Sequence, residues 1–442
     1  MVEPHGGRLV YNVVEPERGA GLPGLEIKPT LGPDGAPIRN PYREVVSIAM
    51  GFFSPVEGFM TRNEVDSVLR ERRLLSGWLF PFPLIFDVDE EDLKKAGIKE
   101  GDAVALTLKG RPFAILQVEE VYKLGDRKEL ADAVFGTPEK NGEVVKRRFD
   151  EKHPGWLIYR SLRQVALAGK VWLLGQPKFR EPYSRFWMPP AASRKYIEER
   201  GWKIVVAHQT RNVPHVGHEM LMKAALFSAG CGRPGDAVLV NAIIGAKRPG
   251  DYVDEAILEG HEALNKAGYF HPSRHVVTMT LWDMRYGGPL ESILHGIIRQ
   301  NMGATHHMFG RDHASVGDYY DPYATQYLWT HGLPSYGLNE PPHLTDKGLR
   351  IRPVVLGEFA YCPTCGGYTY LGGPGELPLC GHEVERLSGS LLRGVVLEGL
   401  RPPRVVMRLE VYDVIVKWWR VYGYPFVNER YLRLKEEQLE VV

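Results

Sequence analysis

Lys203-Ile204-Val205-Val206-Ala207-His208-Gln209-Thr210-Arg211-Asn212-Val213-Pro214-His215-Val216-Gly217-His218 changes character twice over a short span. Residues 203–207 form an apolar, β-branched run of the kind that makes a buried strand. A polar loop follows, and residues 218–229 carry the spacing of a helix. A strand, a tight loop and a helix start together make an α/β unit whose helix N-terminus suits an anion. Free backbone N–H groups and the positive end of the helix dipole converge there. The loop adds one permanent cation, Arg211, the amides Gln209 and Asn212, and the hydroxyl of Thr210. His215 and His218 are three apart and share a face at the helix start. These donors suit small oxyanions and phosphates.

Strand and helix patterns alternate outward from this stretch. Strands are expected over 204–207, 237–244 and 275–279, and helices over 218–229, 254–266 and 290–302. Such alternation predicts an α/β fold with a parallel sheet, whose ligand site lies beyond the C-terminal strand ends. Residues 1–190 read differently, as short strands, turns and a few helices. Runs 103–108 and 113–118 flank Lys109-Gly110-Arg111-Pro112 as in a β-hairpin, and 65–75 has helical spacing. This predicts an α+β domain with a barrel-like core. A polar, proline-rich stretch over 179–192 reads as a linker. The expected division is 1–190, 191–349 and 350–442. There is no internal repeat and no low-complexity segment.

The 442 residues carry a net charge of +1, so no global field draws nucleic acid or an anionic membrane, and any anion site must be local. No run approaches a membrane span and the N-terminus lacks the pattern of a signal peptide, so a cytoplasmic protein is expected. Of the four cysteines, Cys231 stands alone after a helical run and reads as a small buried thiol rather than a catalytic one. Cys362-Pro363-Thr364-Cys365 is half of a zinc knuckle, and Cys380-Gly381-His382 supplies a second half. Together Cys362, Cys365, Cys380 and His382 would hold one tetrahedral structural zinc, leaving no open position for catalysis.

Histidines spaced H-x-G-H are those of nucleotidyltransferases, and the full string is more specific. Residues 209–218 resemble the Q-x-R-N-P-x-H-x-x-H signature of the ATP-sulfurylase (sulfate adenylyltransferase) family. Gly310-Arg311-Asp312-His313-Ala314-Ser315-Val316-Gly317 is similar to that family's G-R-D-H-A-G-x-G. Met284-Arg285-Tyr286-Gly287-Gly288-Pro289 resembles M-R-Y-A-G-P, and residues 51–60 resemble G-x-F-S-P-L-x-G-F-M. The four strings occur in family order. Two positions depart: Val213 stands where proline is usual, and Ser315 where glycine is. Neither removes a chemical group, although the first bears on the loop backbone.

The resemblance implies a PUA-like N-terminal domain, a Rossmann-like catalytic domain and a small zinc-containing C-terminal domain. It implies transfer of AMP from ATP to sulfate, giving adenylyl sulfate and pyrophosphate reversibly, with Mg²⁺ on the triphosphate and a homodimer as the common assembly. It puts Gln209, Arg211 and the backbone of Ala314 on sulfate. Asn212, His215, His218 and Gly310, Arg311, Asp312 and His313 fall around the phosphates and ribose. Thr210 and Arg285 are further candidates, and Asp312 could instead orient Arg311. Residues 387–393 resemble I-S-G-T-x-x-R and read either as a lid or as a helix cap. No G-x-x-x-x-G-K-[ST] string occurs, so a fused kinase of phosphate-loop form is not expected. Two rivals stay open: an H-x-G-H nucleotidyltransferase with another acceptor, and an RNA-binding PUA/zinc protein.

Overall fold

The computed structural model describes every residue except 231, 232, 234, 373–377, 387, 388 and 439–442. Cys231 therefore lies outside the described residues, as do Leu387 and Ser388 of the expected lid.

The N-terminal part is built on a seven-stranded sheet: β1 (Val13–Val14), β2 (Gly24–Glu26), β3 (Gly58–Phe59), β4 (Phe86–Val88), β5 (Ala103–Leu108), β6 (Arg111–Lys123) and β7 (Val165–Leu174). The strands run in the order β1-β7-β6-β5-β2, and β3 and β4 also pair with β7. The expected hairpin is β5–β6, antiparallel from Ala103↔Gln117 to Leu108↔Arg111. Helix α1 (Pro41–Ala49) starts on Asn40, whose side chain accepts the Tyr42 N–H, with proline in its first turn. Helix α2 (Arg62–Glu71) begins on a capping box between Thr61 and Glu64, a device contributing about 1 kcal/mol.

The second sheet has five strands, all parallel: β8 (Ile204–Thr210), β9 (Asp236–Ile244), β10 (His275–Leu281), β11 (His306–Phe309) and β12 (Arg352–Val355). Their spatial order is β10-β9-β8-β11-β12. The chain builds outward from β8 to β10, then returns and builds the other way from β11. Direction reverses between β8 and β11, and that switch point is where an open α/β sheet leaves a crevice. Helices α3 (Val216–Gly230), α4 (Asp254–Lys266) and α5 (Pro289–Asn301) connect or flank the strands. Every residue of β9 and of α5 is buried, which makes them the centre of this core. β12 lies beyond the expected boundary at 349, so the sheet extends into the segment assigned to the third part.

The stretch 179–192 is not a free linker. Phe179, Tyr183 and Phe186 are buried, and Trp187 makes a β-bridge to Met279. The two larger units are also joined directly. Asn301 Nδ2 donates to Phe52 O and Ser54 O at 3.1 Å, and Ser47 Oγ donates to Leu281 O at 2.6 Å. After β12 come a hairpin, β13 (Glu358–Cys362) and β14 (Gly367–Gly372), and three helices, α6 (Gly389–Leu397), α7 (Leu409–Tyr422) and α8 (Glu429–Gln438). Lys435 of α8 is buried and pairs with Asp254 at 2.6 Å, which pins α8 to the unit built on the five-stranded sheet.

Candidate active site

The loops after β8 and β11 open onto one cavity of about 540 Å³ at the switch point. From the first loop it is lined by Gln209, Thr210, Arg211, Asn212, His215 and His218. From the second it is lined by Gly310, Arg311, Asp312, His313, Ala314 and Ser315. The two motifs are about a hundred residues apart in the chain and meet because β8 and β11 are adjacent, with Val206 opposite His306.

Local hydrogen bonds set the first loop. Thr210 Oγ1 accepts the Asn212 N–H at 3.1 Å and donates to Asn212 O at 3.0 Å. Thr210 thus shapes the turn, in the manner of a Ser/Thr turn. Gly217 N–H donates to His215 Nδ1 at 3.1 Å and His215 N–H to His218 Nδ1 at 3.3 Å. With both Nδ1 atoms accepting, both rings carry their proton on Nε2. The rings lie 4.0 Å apart and reach the cavity, yet protein surrounds their other sides. Burial pushes the His218 imidazole down to about 4, and burial with the neighbouring His218 ring holds His215 well below its ordinary value. At neutral pH each ring is an uncharged N–H donor. Gln209 Nε2 is buried with no hydrogen-bond partner among the described residues, a donor left for a ligand.

Arg211 is the fixed charge of this loop. Its guanidinium lies 4.8 Å from the centroid of the Tyr286 ring, and its nearest carboxylate oxygen, on Asp251, is 3.9 Å away. In the second loop Asp312 (φ 54°) and Ala314 (φ 59°) adopt left-handed backbone, unusual for residues with a Cβ. Ala314 O accepts from Gly288 N–H at 3.1 Å, and the Ala314 N–H makes no hydrogen bond among the described residues. Arg311 Nε lies 3.2 Å from Glu358 and 3.6 Å from Asp312, so Glu358 is its nearer partner. Partial burial raises the Asp312 carboxyl.

Arg285 is not brought to the cavity. It is 2 % exposed, donates to Glu44 Oε1 of α1, and stacks 4.1 Å from the Trp282 ring. Its charge is spent on the seam between the two large units, because a buried guanidinium needs a carboxylate and the nearest lies in the N-terminal part. The cavity also has walls that the motifs did not single out. Glu358 and Phe359 come from β13, Arg386 from the segment before α6, and Tyr252 and Met407 from neighbouring loops. Gly389 and Arg393 of the I-S-G-T-x-x-R-like string do line it, whereas no local signal marks Glu358.

The hairpin β13–β14 carries the second cluster. Cys362 ends β13, Cys365 lies in the turn, and Cys365 N–H donates to Cys362 Sγ at 3.3 Å. His382 Nδ1 is 3.6 Å from Cys362 Sγ and 3.3 Å from Cys365 Sγ. With Cys380, the four ligand atoms lie within 4.8 Å of one another. A tetrahedral ion with bonds of ~2.0–2.3 Å puts its ligands ~3.3–3.8 Å apart, so this donor set fits one metal ion of that kind. No helix among the described residues is long and apolar enough to cross a membrane.

Residues 2–176 match the model of a PUA-like domain, and residues 184–418 match that of ATP-sulfurylase. A sulfate adenylyltransferase of Archaeoglobus fulgidus is 59 % identical, with 99 % of this chain aligned to 96 % of that protein. Those of Hyperthermus butylicus and Pyrococcus abyssi are 38 % and 35 % identical, each over 96 % of this chain and 97 % and 99 % of theirs. A solved structure, a hexameric APS kinase from Thiobacillus denitrificans, superposes with a TM-score of 0.63. It is 19 % identical and covers 94 % of this chain and 68 % of its own, a likeness of fold. Two motif loops on one switch-point crevice, and relatives aligned from end to end, lead to one conclusion: the chain belongs to the ATP-sulfurylase family.

Proposed function

We propose that this protein is a sulfate adenylyltransferase that transfers AMP from ATP to sulfate, releasing pyrophosphate, and that the cavity between β8 and β11 is where it does so. The observation that supports the location is the convergence of both motif loops on that cavity. A sulfate oxygen attacks the α-phosphorus, a new S–O–P link forms, and the bond to the β-phosphate oxygen breaks. Sulfate carries no proton to lose at neutral pH, so no general base is required. Catalysis then rests on alignment and on stabilising the charge spread over the transferring phosphorus.

Arg211, together with the Gln209 Nε2 and Ala314 N–H donors that have no partner among the described residues, forms the sulfate end. The Nε2–H groups of His215 and His218, the α3 N-terminus and Asn212 face the triphosphate. Neutral imidazoles suit this role, since they donate to phosphate without the cost of burying further cations. Arg311 lies toward the nucleotide with Glu358 holding its guanidinium, and Gly310, Asp312 and His313 shape that wall. Mg²⁺ enters as part of the ATP substrate, carried by phosphate oxygens and water. Cys362, Cys365, Cys380 and His382 would hold a structural zinc, which would lock the β13–β14 turn. We place the functional division at an N-terminal PUA-like unit, a catalytic unit that includes β12, and a C-terminal unit from the hairpin onward.

The test is the reverse reaction, which runs downhill: adenylyl sulfate plus pyrophosphate should yield ATP. In the forward direction, pyrophosphate release should depend on sulfate or molybdate. No turnover in either direction above an Arg211→Ala control would overturn the reading.

A further inference from the structure

The segment 284–289 draws attention by its arginine, but Arg285 faces the domain seam. Met284 lines the cavity, and Tyr286 lies behind it, in a small cleft shared with Arg211, which does line the cavity. Tyr286 is held in left-handed backbone (φ 54°), and several groups fix it there. Arg285 N–H and Gly287 N–H both donate to Glu291 Oε2, at 3.0 and 3.3 Å. Tyr286 O lies 3.1 Å from His153 Nε2. His153 Nδ1 accepts the Trp156 N–H at 3.0 Å, so Nε2 carries the proton and donates to that carbonyl. Gly155 leaves the room for this approach, because a Cβ there would stand 1.7 Å from Arg285 O.

This backbone presents the Tyr286 ring to two guanidiniums. Arg211, after β8, is 4.8 Å from the ring centroid, and Arg248, after β9, is 5.1 Å from it. The hydroxyl is a further 3.5 Å neighbour of Arg211 Nη1. Among the described residues Arg211 has no carboxylate closer than 3.9 Å, so the aromatic face is its principal fixed neighbour. A guanidinium lying on a ring keeps its N–H edge free, and the ring quadrupole offsets part of the repulsion between two cations.

We infer that Tyr286 is a positioning residue for sulfate: its ring holds the Arg211 guanidinium, with Arg248 as a second cation on the same ring, so that the planar donor edge faces the oxyanion. This rests on the sulfate adenylyltransferase reading of the site. The ring costs residual freedom that a long arginine on a loop would otherwise keep, and it acts only on the acceptor half of the reaction.

The experiment compares Tyr286→Leu, Tyr286→Phe and the unaltered enzyme by initial rates over sulfate and ATP, and by calorimetric titration with adenylyl sulfate and with ATP alone. Loss of a partly desolvated cation–π contact predicts that Tyr286→Leu raises KM for sulfate at least about fivefold and weakens adenylyl sulfate equally. KM and affinity for ATP should change less than about twofold, since the phosphates are held elsewhere. Tyr286→Phe keeps the ring and should recover most of the lost sulfate affinity. Equal losses for sulfate and ATP, or a Tyr286→Phe variant as poor as Tyr286→Leu, would overturn the inference. Should Tyr286→Leu not fold, Arg248→Gln carries the test, with the same rise in sulfate KM expected and an unchanged one counting against it. Absence of sulfate turnover in the unaltered enzyme would instead sink the functional reading.

Discussion

Glu44 is where the seam between the two large units should break. It is fully buried and accepts from Arg39 Nε at 2.8 Å, from Arg39 Nη2 at 2.5 Å, and from Arg285 Nη2. Arg39 has a second acid, Asp87, at 2.7 Å, but Arg285 has none besides Glu44 within ion-pair distance among the described residues. Two buried guanidiniums therefore share two carboxylates. Replacing Glu44 by Gln removes one negative charge and leaves the buried Arg285 guanidinium with no carboxylate, only neutral acceptors and the Trp282 and Tyr159 rings. Orphaning a buried charge costs about 3–5 kcal/mol. Replacing Arg285 by Met is milder, because Glu44 keeps both of its bonds to Arg39, and the loss is that of a charged hydrogen bond, about 1.5–3 kcal/mol. Chemical denaturation of both variants gives the order: Glu44→Gln should be the less stable. Initial rates give the second readout. The backbone around Tyr286 is held by Glu291 and His153 rather than by the Arg285 side chain, so folded Arg285→Met should keep its sulfate KM. A stable Arg285→Met enzyme that has lost most of its sulfate affinity would refute the reasoning and put Arg285 on the substrate after all.

Burial lowers His5, His153 and His218 to about 4 and His275 to about 3, from an ordinary value near 6.5. The unfolded chain binds more protons in that window, so stability is full above about pH 6.5 and falls toward pH 4, by up to ~1.4 kcal/mol per pH unit for each ring. Denaturant midpoints should drop steeply between pH 6.5 and 5, and a flat profile would contradict these burials. Metal analysis should find about one zinc per chain, lost in Cys380→Ser together with thermal stability; an equally stable metal-free protein would show the cluster to be idle. Arg211→Lys keeps the charge and loses the planar fork, so kcat/KM for sulfate should fall by about one to two orders of magnitude, with a silent substitution arguing against bidentate contact.

How much of this could be read from the chain differed with the range of the interaction involved. The strand-loop-helix around Arg211 was legible because all its parts are contiguous, and residues 204–207, 237–244 and 275–279 all lie within observed strands. β11 was missed because four residues reading His306-His307-Met308-Phe309 give no apolar run. β12 was missed because Arg352-Pro353 hides an edge strand whose proline would be excluded from a sheet centre. The cysteine cluster was readable because its halves are local motifs. The seam position of Arg285 was hidden for the opposite reason. Its partner, Glu44, is 241 positions away, and nothing in the string Met284-Arg285-Tyr286 says which of its side chains turns inward. The same blindness covered Glu358, which only the return of the chain past β12 brings to Arg311.

The hairpin would give a metal held by the proposed cysteine–histidine site a route to the chemistry. β13 begins at Glu358, which holds Arg311 at the cavity wall, and ends at Cys362, which would hold the ion. Strand geometry puts those two residues only ~13 Å apart along one rigid element. β13 pairs with β14 among the described strands, Tyr361 bridges Glu385, and Leu356 N–H donates to Phe309 O just before it, so the hairpin and its turn are one of the supports of Glu358. A structural ion at one end can thus fix an arginine at the other without touching substrate. Stripping the metal from folded enzyme should then weaken ATP before sulfate, because the proposed site puts Arg311 on the nucleotide side and Arg211 packs separately on Tyr286. Equal weakening of both would mean that the hairpin supports the whole cavity rather than one wall of it.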